Sequence, residues 1–193
     1  MGSVLVPLAD GCEELEAVTI IDILRRAGVE VVVAGLADGP VRASRGTVLL
    51  PETTLEAVRE REFDLIVLPG GLPGADHLQA DTRLITLLQQ SVARGHKVAA
   101  ICAAPKVLAH AGLLQGRHAT AYPGALEGCG VDGFVRLDEP VVEDGPVITS
   151  MGPGTALDFA LHLVETLCGH EQREAVERPL CRPHGGAGHG EAV

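Results

Sequence analysis

The residue best placed for chemistry is Cys102. It ends the apolar run Val98-Ala99-Ala100-Ile101 and is followed by Ala103-Ala104-Pro105, so a strand runs straight into a helix-prone segment with only small residues beside the thiol. The outline is that of a nucleophile elbow, although Ala stands where such elbows usually carry Gly. A thiol ahead of a helix gains from the macrodipole and from free backbone N–H groups, which stabilise a thiolate and can hold an oxyanion. The other reading is a buried cysteine acting as a small hydrophobe. Spacing alone leaves both open.

Two further clusters could serve that thiol. Glu13, Glu14 and Glu16 crowd a helix start, where the ordinary explanation is interaction with the helix dipole and a solvated face. If one of them meets Cys102, thiol and carboxyl cannot both ionise cheaply, and one of the pair keeps a proton. Pro69-Gly70-Gly71 follows a buried strand, and its glycines let the backbone approach another group without a Cβ in the way. A hydrolytic triad would need a histidine, yet none of His77, His96, His110, His118, His162, His170, His184 and His189 adjoins Cys102. His189-Gly190-Glu191 imitates the His-x-Glu of glutamine amidotransferases by chance, in a Gly-rich stretch. No His/Cys cluster has zinc spacing.

The elements that must position these residues alternate. Ser3–Leu8 reads as a strand buried on both faces, and Glu13–Ala27 as a helix with Leu15, Val18, Ile21 and Leu24 recurring every three residues. Val29–Gly35 and Asp64–Leu68 are strands, Thr82–Gly95 is a helix, and Lys97–Ile101 is the strand that delivers Cys102. Ala103–Ala111 is helix-prone, and His118–Tyr122 is a short strand. Two strands within Pro140–Ser150 turn at Glu143-Asp144-Gly145, and Gly152-Pro153-Gly154-Thr155 opens a final helix to about Leu167. This order predicts a doubly wound, largely parallel α/β sheet, with chemistry at the carboxyl ends of its strands. Residues 1–183 form one domain, and 184–193 read as a disordered, Gly/His-rich tail.

With 26 acidic against 15 basic side chains, the net charge of −11 repels phosphate backbones and anionic lipid, which argues against nucleic acid as a direct partner. No apolar run is long enough for a membrane span. The amino terminus lacks the basic region of a secretory signal, and Val6 stands where myristoylation needs Ser or Thr. Five cysteines (Cys12, Cys102, Cys129, Cys168 and Cys181), an odd number without CxxC spacing, suit a reduced cytoplasm.

Glu13-Glu14-Leu15-Glu16, Ser44-Arg45-Gly46, Val67-Leu68-Pro69-Gly70-Gly71, Ala99-Ala100-Ile101-Cys102-Ala103-Ala104-Pro105 and Gly152-Pro153-Gly154-Thr155 occur in an order that resembles the ThiJ/PfpI family. They are most similar to its YajL-like branch, which includes the human parkinsonism-associated deglycase; the likeness covers about residues 3 to 180, and five ordered motifs are specific together where each alone is not. The resemblance implies a flavodoxin-like three-layer sandwich and a homodimer. It implies Cys102 as the reactive residue, hydrogen-bonded by a protonated Glu16 carboxyl, with Gly70, Gly71 and Ala103 as backbone donors. Arg45 would be an anion-binding group near the pocket, with Arg26 and Asp22 toward its dimer side. Cofactor and metal are not needed. A peptidase-like branch carries His directly after the cysteine, and Ala103 here counts against peptidase activity. Tyr122 replaces the pocket His of the human protein, as aromatic residues do in bacterial relatives.

Members of this branch act on methylglyoxal and glyoxal, or on their early adducts with proteins and nucleotides, releasing lactate or glycolate. The resemblance therefore implies a hydrolase-type, cysteine-dependent deglycase or glyoxalase protecting against oxidative and carbonyl stress. The rival is a redox-sensing, thiol-dependent chaperone in which Cys102 is oxidised to a sulfinate. A role in thiazole biosynthesis finds no phosphate-binding signature.

Overall fold

The structure, a computed structural model, describes residues 2–127 and 133–182. The expected tail 184–193, the His189-Gly190-Glu191 triplet and Cys129 lie outside the described residues. In chain order come β1 (Ser3–Leu8), α1 (Glu14–Arg26), β2 (Glu30–Gly35), the hairpin of β3 (Val41–Arg42) and β4 (Val48–Leu49), then β5 (Thr53–Thr54) and α2 (Leu55–Val58). Next are β6 (Leu65–Leu68), α3 (Gly74–Ala80), α4 (Thr82–Ala93), β7 (Lys97–Ile101) and α5 (Pro105–His110). Then follow β8 (His118–Ala119), β9 (Val135–Arg136), β10 (Val141–Asp144), β11 (Val147–Ser150), α6 (Ala156–Cys168) and α7 (His170–Glu177).

Successive strand residues point to opposite faces. In β1, Val4, Val6 and Leu8 enter the core beneath α1 and α6, while Leu5 enters the core beneath α4 and α5. β6 and β7 divide the same way: Leu65, Val67, Ala99 and Ile101 on the first side, Ile66, Leu68, Val98 and Ala100 on the second. Both faces are covered by helices, so these strands read as unbroken apolar runs. The main sheet runs β10-β11-β7-β6-β1-β2-β5, parallel throughout except for β10 against β11. Because β1, β6, β7 and β11 are parallel neighbours, the loops leaving them gather at one end.

Several expectations shift. On α1 the buried residues are Glu16, Ala17, Ile20, Ile23 and Leu24, whereas Leu15 and Val18 are about half exposed. A three-residue spacing drifts around a 3.6-residue turn, so the stripe seen in the sequence runs off the core. The helix expected from Ala103 begins at Pro105, and the strand expected over His118–Tyr122 stops at Ala119, where Thr120 N–H turns to the Thr149 hydroxyl at 2.9 Å. The helix from Ala156 is not the last: Gly169, at φ 86, breaks it and α7 follows. The small elements β3, β4, β5, α2 and α3 are too short to show a period. Among the described residues no helix is long and apolar enough to cross a membrane.

Candidate active site

Cys102 is held in the left-handed region at φ 64, a conformation that costs a non-glycine residue about 1–2 kcal/mol. Neighbours on both sides impose it. The Cys102 N–H donates to the Ser150 carbonyl at 3.0 Å, and the Cys102 carbonyl accepts from Tyr122 N–H at 2.9 Å. Strain of this kind persists only where the surrounding bonds over-determine it, as these two do at the tip of β7.

The Pro69-Gly70-Gly71 turn is wedged against this elbow. A Cβ on Gly70 would lie 2.7 Å from both the Cys102 Cβ and the Ile101 carbonyl, so only glycine fits. Gly71, at φ 88, has its own would-be Cβ 2.4 Å from the Glu13 nitrogen, and Glu13 N–H donates to the Gly70 carbonyl at 2.9 Å. The backbone N–H groups of Gly71 and Ala103 favour ionisation of the Cys102 sulfur. The three loops expected at the strand ends do therefore meet at one thiol.

The three acids of the α1 entry do three different jobs. Glu13 caps the helix, its Oε2 accepting the Glu16 N–H at 2.8 Å. Glu14 reaches outward to the β3–β4 turn. Glu16 is fully buried: its Oε2 accepts the Gly70 N–H at 2.8 Å, its Oε1 has no hydrogen-bond partner among the described residues, and the carboxyl interacts with Cys102. Burial pushes the Glu16 carboxyl up to about 7, although Gly70 and Cys102 work in the opposite direction. Burial, then the Glu16 charge and hydrogen bond, push the Cys102 thiol up to about 12 against the pull of the Gly71 and Ala103 N–H groups. Two buried acids in contact thus resist a second ionisation, and above about pH 7 the pair keeps a single proton. The thiolate expected from a helix dipole is not the device used here, since α5 starts three residues beyond the sulfur.

Tyr122 sits at the elbow, bonded through its backbone and with its ring against Gly152. Arg45 is exposed on a turn tied to the β1–α1 loop by Ser44 N–H donating to the Cys12 carbonyl at 2.8 Å. Asp22 and Arg26 pair with each other at 2.6 Å, roughly 9 and 15 Å along the α1 axis from Glu16 at 1.5 Å per residue. Within one chain they do not reach the elbow. Among the described residues no histidine bonds Cys102, and no group of His, Cys, Asp and Glu is placed to hold a metal ion. Sequence reasoning missed Ser150, which accepts the Cys102 N–H and whose hydroxyl meets Thr155 Oγ1 at 2.7 Å. The Gly152–Thr155 motif was the only signal for it.

Known proteins resemble this chain in sequence and in fold. A model of the DJ-1/PfpI family matches residues 2–166. The chain is 44% identical to Protein dj-1beta of Drosophila melanogaster over 180 residues, 92% of this chain and 96% of that one. The crystal structure of that fly DJ-1beta superimposes with a TM-score of 0.90, covering 95% of this chain and 99% of the other at 42% identity. Oxidized DJ-1 of Toxoplasma gondii superimposes with a TM-score of 0.88 at 41% identity, over 95% and 100% of the two chains. Glutathione-independent glyoxalase DJR-1.2 of Caenorhabditis elegans is 39% identical over 181 residues, 92% and 94% of the two chains.

Proposed function

Because the chain belongs to the DJ-1/PfpI family, we propose that it is a cysteine-dependent glyoxalase and deglycase. Its substrates on this reading are methylglyoxal and glyoxal, or their early adducts with proteins and nucleotides, and its products lactate and glycolate. The observation that carries the reading is the pairing of Cys102 with a buried carboxyl whose Oε1 lacks a conventional partner. An ionised carboxylate with one bare oxygen in a dry site is costly. That cost is removed when Oε1 takes the thiol proton, which leaves the charge on a sulfur whose ionisation the Gly71 and Ala103 N–H groups favour.

From that state the thiolate adds to the aldehyde carbon of methylglyoxal, forming a C–S bond, while Glu16 passes its proton to the carbonyl oxygen. Glu16, now a carboxylate, removes the hydrogen of that carbon as a proton, and reprotonation at the neighbouring carbon gives a lactoyl thioester. One carbon is oxidised and the next reduced, so no outside oxidant is needed. Water then cleaves the C–S bond, releasing lactate and restoring the thiol. No cofactor or metal takes part. Cys102→Ser should lose lactate production from methylglyoxal; turnover at the wild-type rate would sink the assignment. Adduct repair is separated from aldehyde clearance by asking whether adduct loss exceeds the adduct's own dissociation rate.

One feature favours a second reading. The Gly71 and Ala103 N–H groups would equally hold sulfinate oxygens, and the Toxoplasma gondii relative is an oxidized form. Gain of two oxygens at Cys102 under mild peroxide, with no aldehyde turnover, would make the chain a redox sensor or thiol-dependent chaperone instead.

The same proposal makes the chain a cytoplasmic homodimer. Val18, Ile21, Asp22, Leu49 and Leu50 line a groove of about 290 Å³ on the outer side of α1, one turn from exposed Leu15. A second α1 covering it would remove that apolar surface from water. A single 20.0 kDa species in sedimentation at micromolar concentration would refute the dimer.

A further inference from the structure

The two backbone bonds that hold Cys102 at positive φ belong to one circuit of contacts. Its N–H donates to the Ser150 carbonyl at 3.0 Å, at the last residue of β11, and its carbonyl accepts the Tyr122 N–H at 2.9 Å. The Tyr122 side chain lies on Gly152, where a Cβ would come within 3.3 Å of the ring atom Cδ2. Hydroxyls join Gly152 back to Ser150. Ser150 Oγ donates to the Pro140 carbonyl at 2.7 Å and lies 2.7 Å from Thr155 Oγ1, which accepts the Gly152 N–H at 3.2 Å. The circuit therefore runs from Cys102 through Ser150, Thr155, Gly152 and Tyr122 to Cys102 again.

A side chain is needed there because the β10–β11 ladder is failing. The Met151 N–H approaches the Pro140 carbonyl at only 3.4 Å, beyond the about 2.7–3.2 Å of an ordinary bond of this kind, whereas the fully buried Ser150 hydroxyl reaches the same carbonyl at 2.7 Å. Counting protons gives the direction of the rest. Each hydroxyl has one proton and a carbonyl can only accept, so Ser150 donates to Pro140 and the short contact between the hydroxyls takes the Thr155 proton. The Gly152 carbonyl competes for that proton from 3.0 Å, the longer of the two distances. Thr155 Oγ1 thus accepts from one arm of the circuit and donates to the other.

We propose that Ser150 and Thr155 are positioning residues whose paired hydroxyls hold the end of β11, so that the Ser150 carbonyl keeps Cys102 in its left-handed conformation. The inference rests on Cys102 being the reactive thiol, as in the proposed function, but not on turnover of any carbonyl. Without the hydroxyls the Ser150–Met151 peptide keeps one long bond toward β10, the Cys102 N–H loses a fixed acceptor, and the elbow relaxes from a conformation that only its surroundings maintain.

The test is amide hydrogen exchange in the full chain, read by NMR. Thr155→Val keeps the shape of the side chain and removes its hydroxyl. It should speed exchange at the Cys102 and Tyr122 N–H groups by about tenfold relative to Val98, whose N–H donates to the Pro146 carbonyl at 2.9 Å toward the other end of β7. Thr155→Ser restores the hydroxyl and should restore the protection. Ser150→Ala should match Thr155→Val, and reports in its place should that variant fold poorly; the double variant should fall well short of the product of the two, because the hydroxyls act in series. With methylglyoxal as substrate, kcat in Thr155→Val should fall by about tenfold at unchanged KM, since the reacting atom is displaced and the substrate's binding groups are not. Wild-type protection of Cys102 in both Thr155→Val and Ser150→Ala, or exchange that rises equally at Val98, would overturn the inference, as would a selective loss of protection with kcat intact. A wild-type chain that forms no lactate sinks the proposed function alone, and the exchange ratios still decide this inference.

Discussion

Where β7 begins, Lys97 donates to Glu143 at 2.7 Å and His162 meets the other carboxylate oxygen at 2.6 Å. Where β7 stops, the Glu16 carboxyl has one oxygen bonded to Gly70 and the other without a hydrogen-bond partner among the described residues. At the first end carboxylates are partnered at the surface and their pKa values fall. Ser3 N–H lowers Asp64, the His118 N–H lowers Asp144, and Glu143 is lowered by Lys97 and His162 although burial opposes them. At the second end burial prevails and both acids rise. The same residue types give inert ion pairs where water and counter-charges reach them, and a proton-sharing pair where neither does.

Substitution at the buried pair should have the largest effect. Glu16→Gln removes the buried carboxyl that moves the proton beside Cys102 in the proposed mechanism, and lactate formation from methylglyoxal should fall by about 100-fold or more. A fall under tenfold would remove Glu16 from the mechanism. The two ends should also answer pH in opposite senses. Glu16 has a folded pKa above its ordinary 4.5, so the native state holds a proton that the unfolded chain releases, and stability falls as pH rises from about 4.5 to about 7. The loss is up to about 3 kcal/mol, and chemical denaturation across that range should show it in wild type and not in Glu16→Gln. Glu143, with its pKa depressed, contributes stability present above its ordinary value and lost as pH falls through its folded one. Glu143→Gln should blunt the acid limb alone.

Smaller effects sharpen the contrast. Gly70→Ala forces a Cβ against Cys102 and Ile101, costing about 1–3 kcal/mol of stability and displacing the elbow, which a denaturant melt with Cys102 alkylation would report. Lys97→Ala at the opposite end breaks a part-exposed ion pair, and should cost only about 0.5–1 kcal/mol while leaving Cys102 reactivity untouched. A change in that reactivity would mean that the two ends are coupled.

Much of this was legible in the chain itself. The apolar runs at Ser3–Leu8, Leu65–Leu68 and Lys97–Ile101, and the helices between them, specify a parallel sheet covered on both faces because burial on two sides demands uninterrupted apolar residues. The same order places the loops of Glu16, Gly70 and Cys102 at one end. Short elements such as the β3–β4 hairpin were not legible, since two residues carry no period. Nor were the separate duties of Glu14 and Glu16. Chemically identical and two residues apart, they are turned about 200° from each other around α1, one to the outer hairpin and one to the interior. Only tertiary packing decides which is bathed in N–H donors and held ionised, and which is sealed against a thiol and obliged to share its proton, because desolvation and the direction of neighbouring dipoles are properties of the folded surroundings.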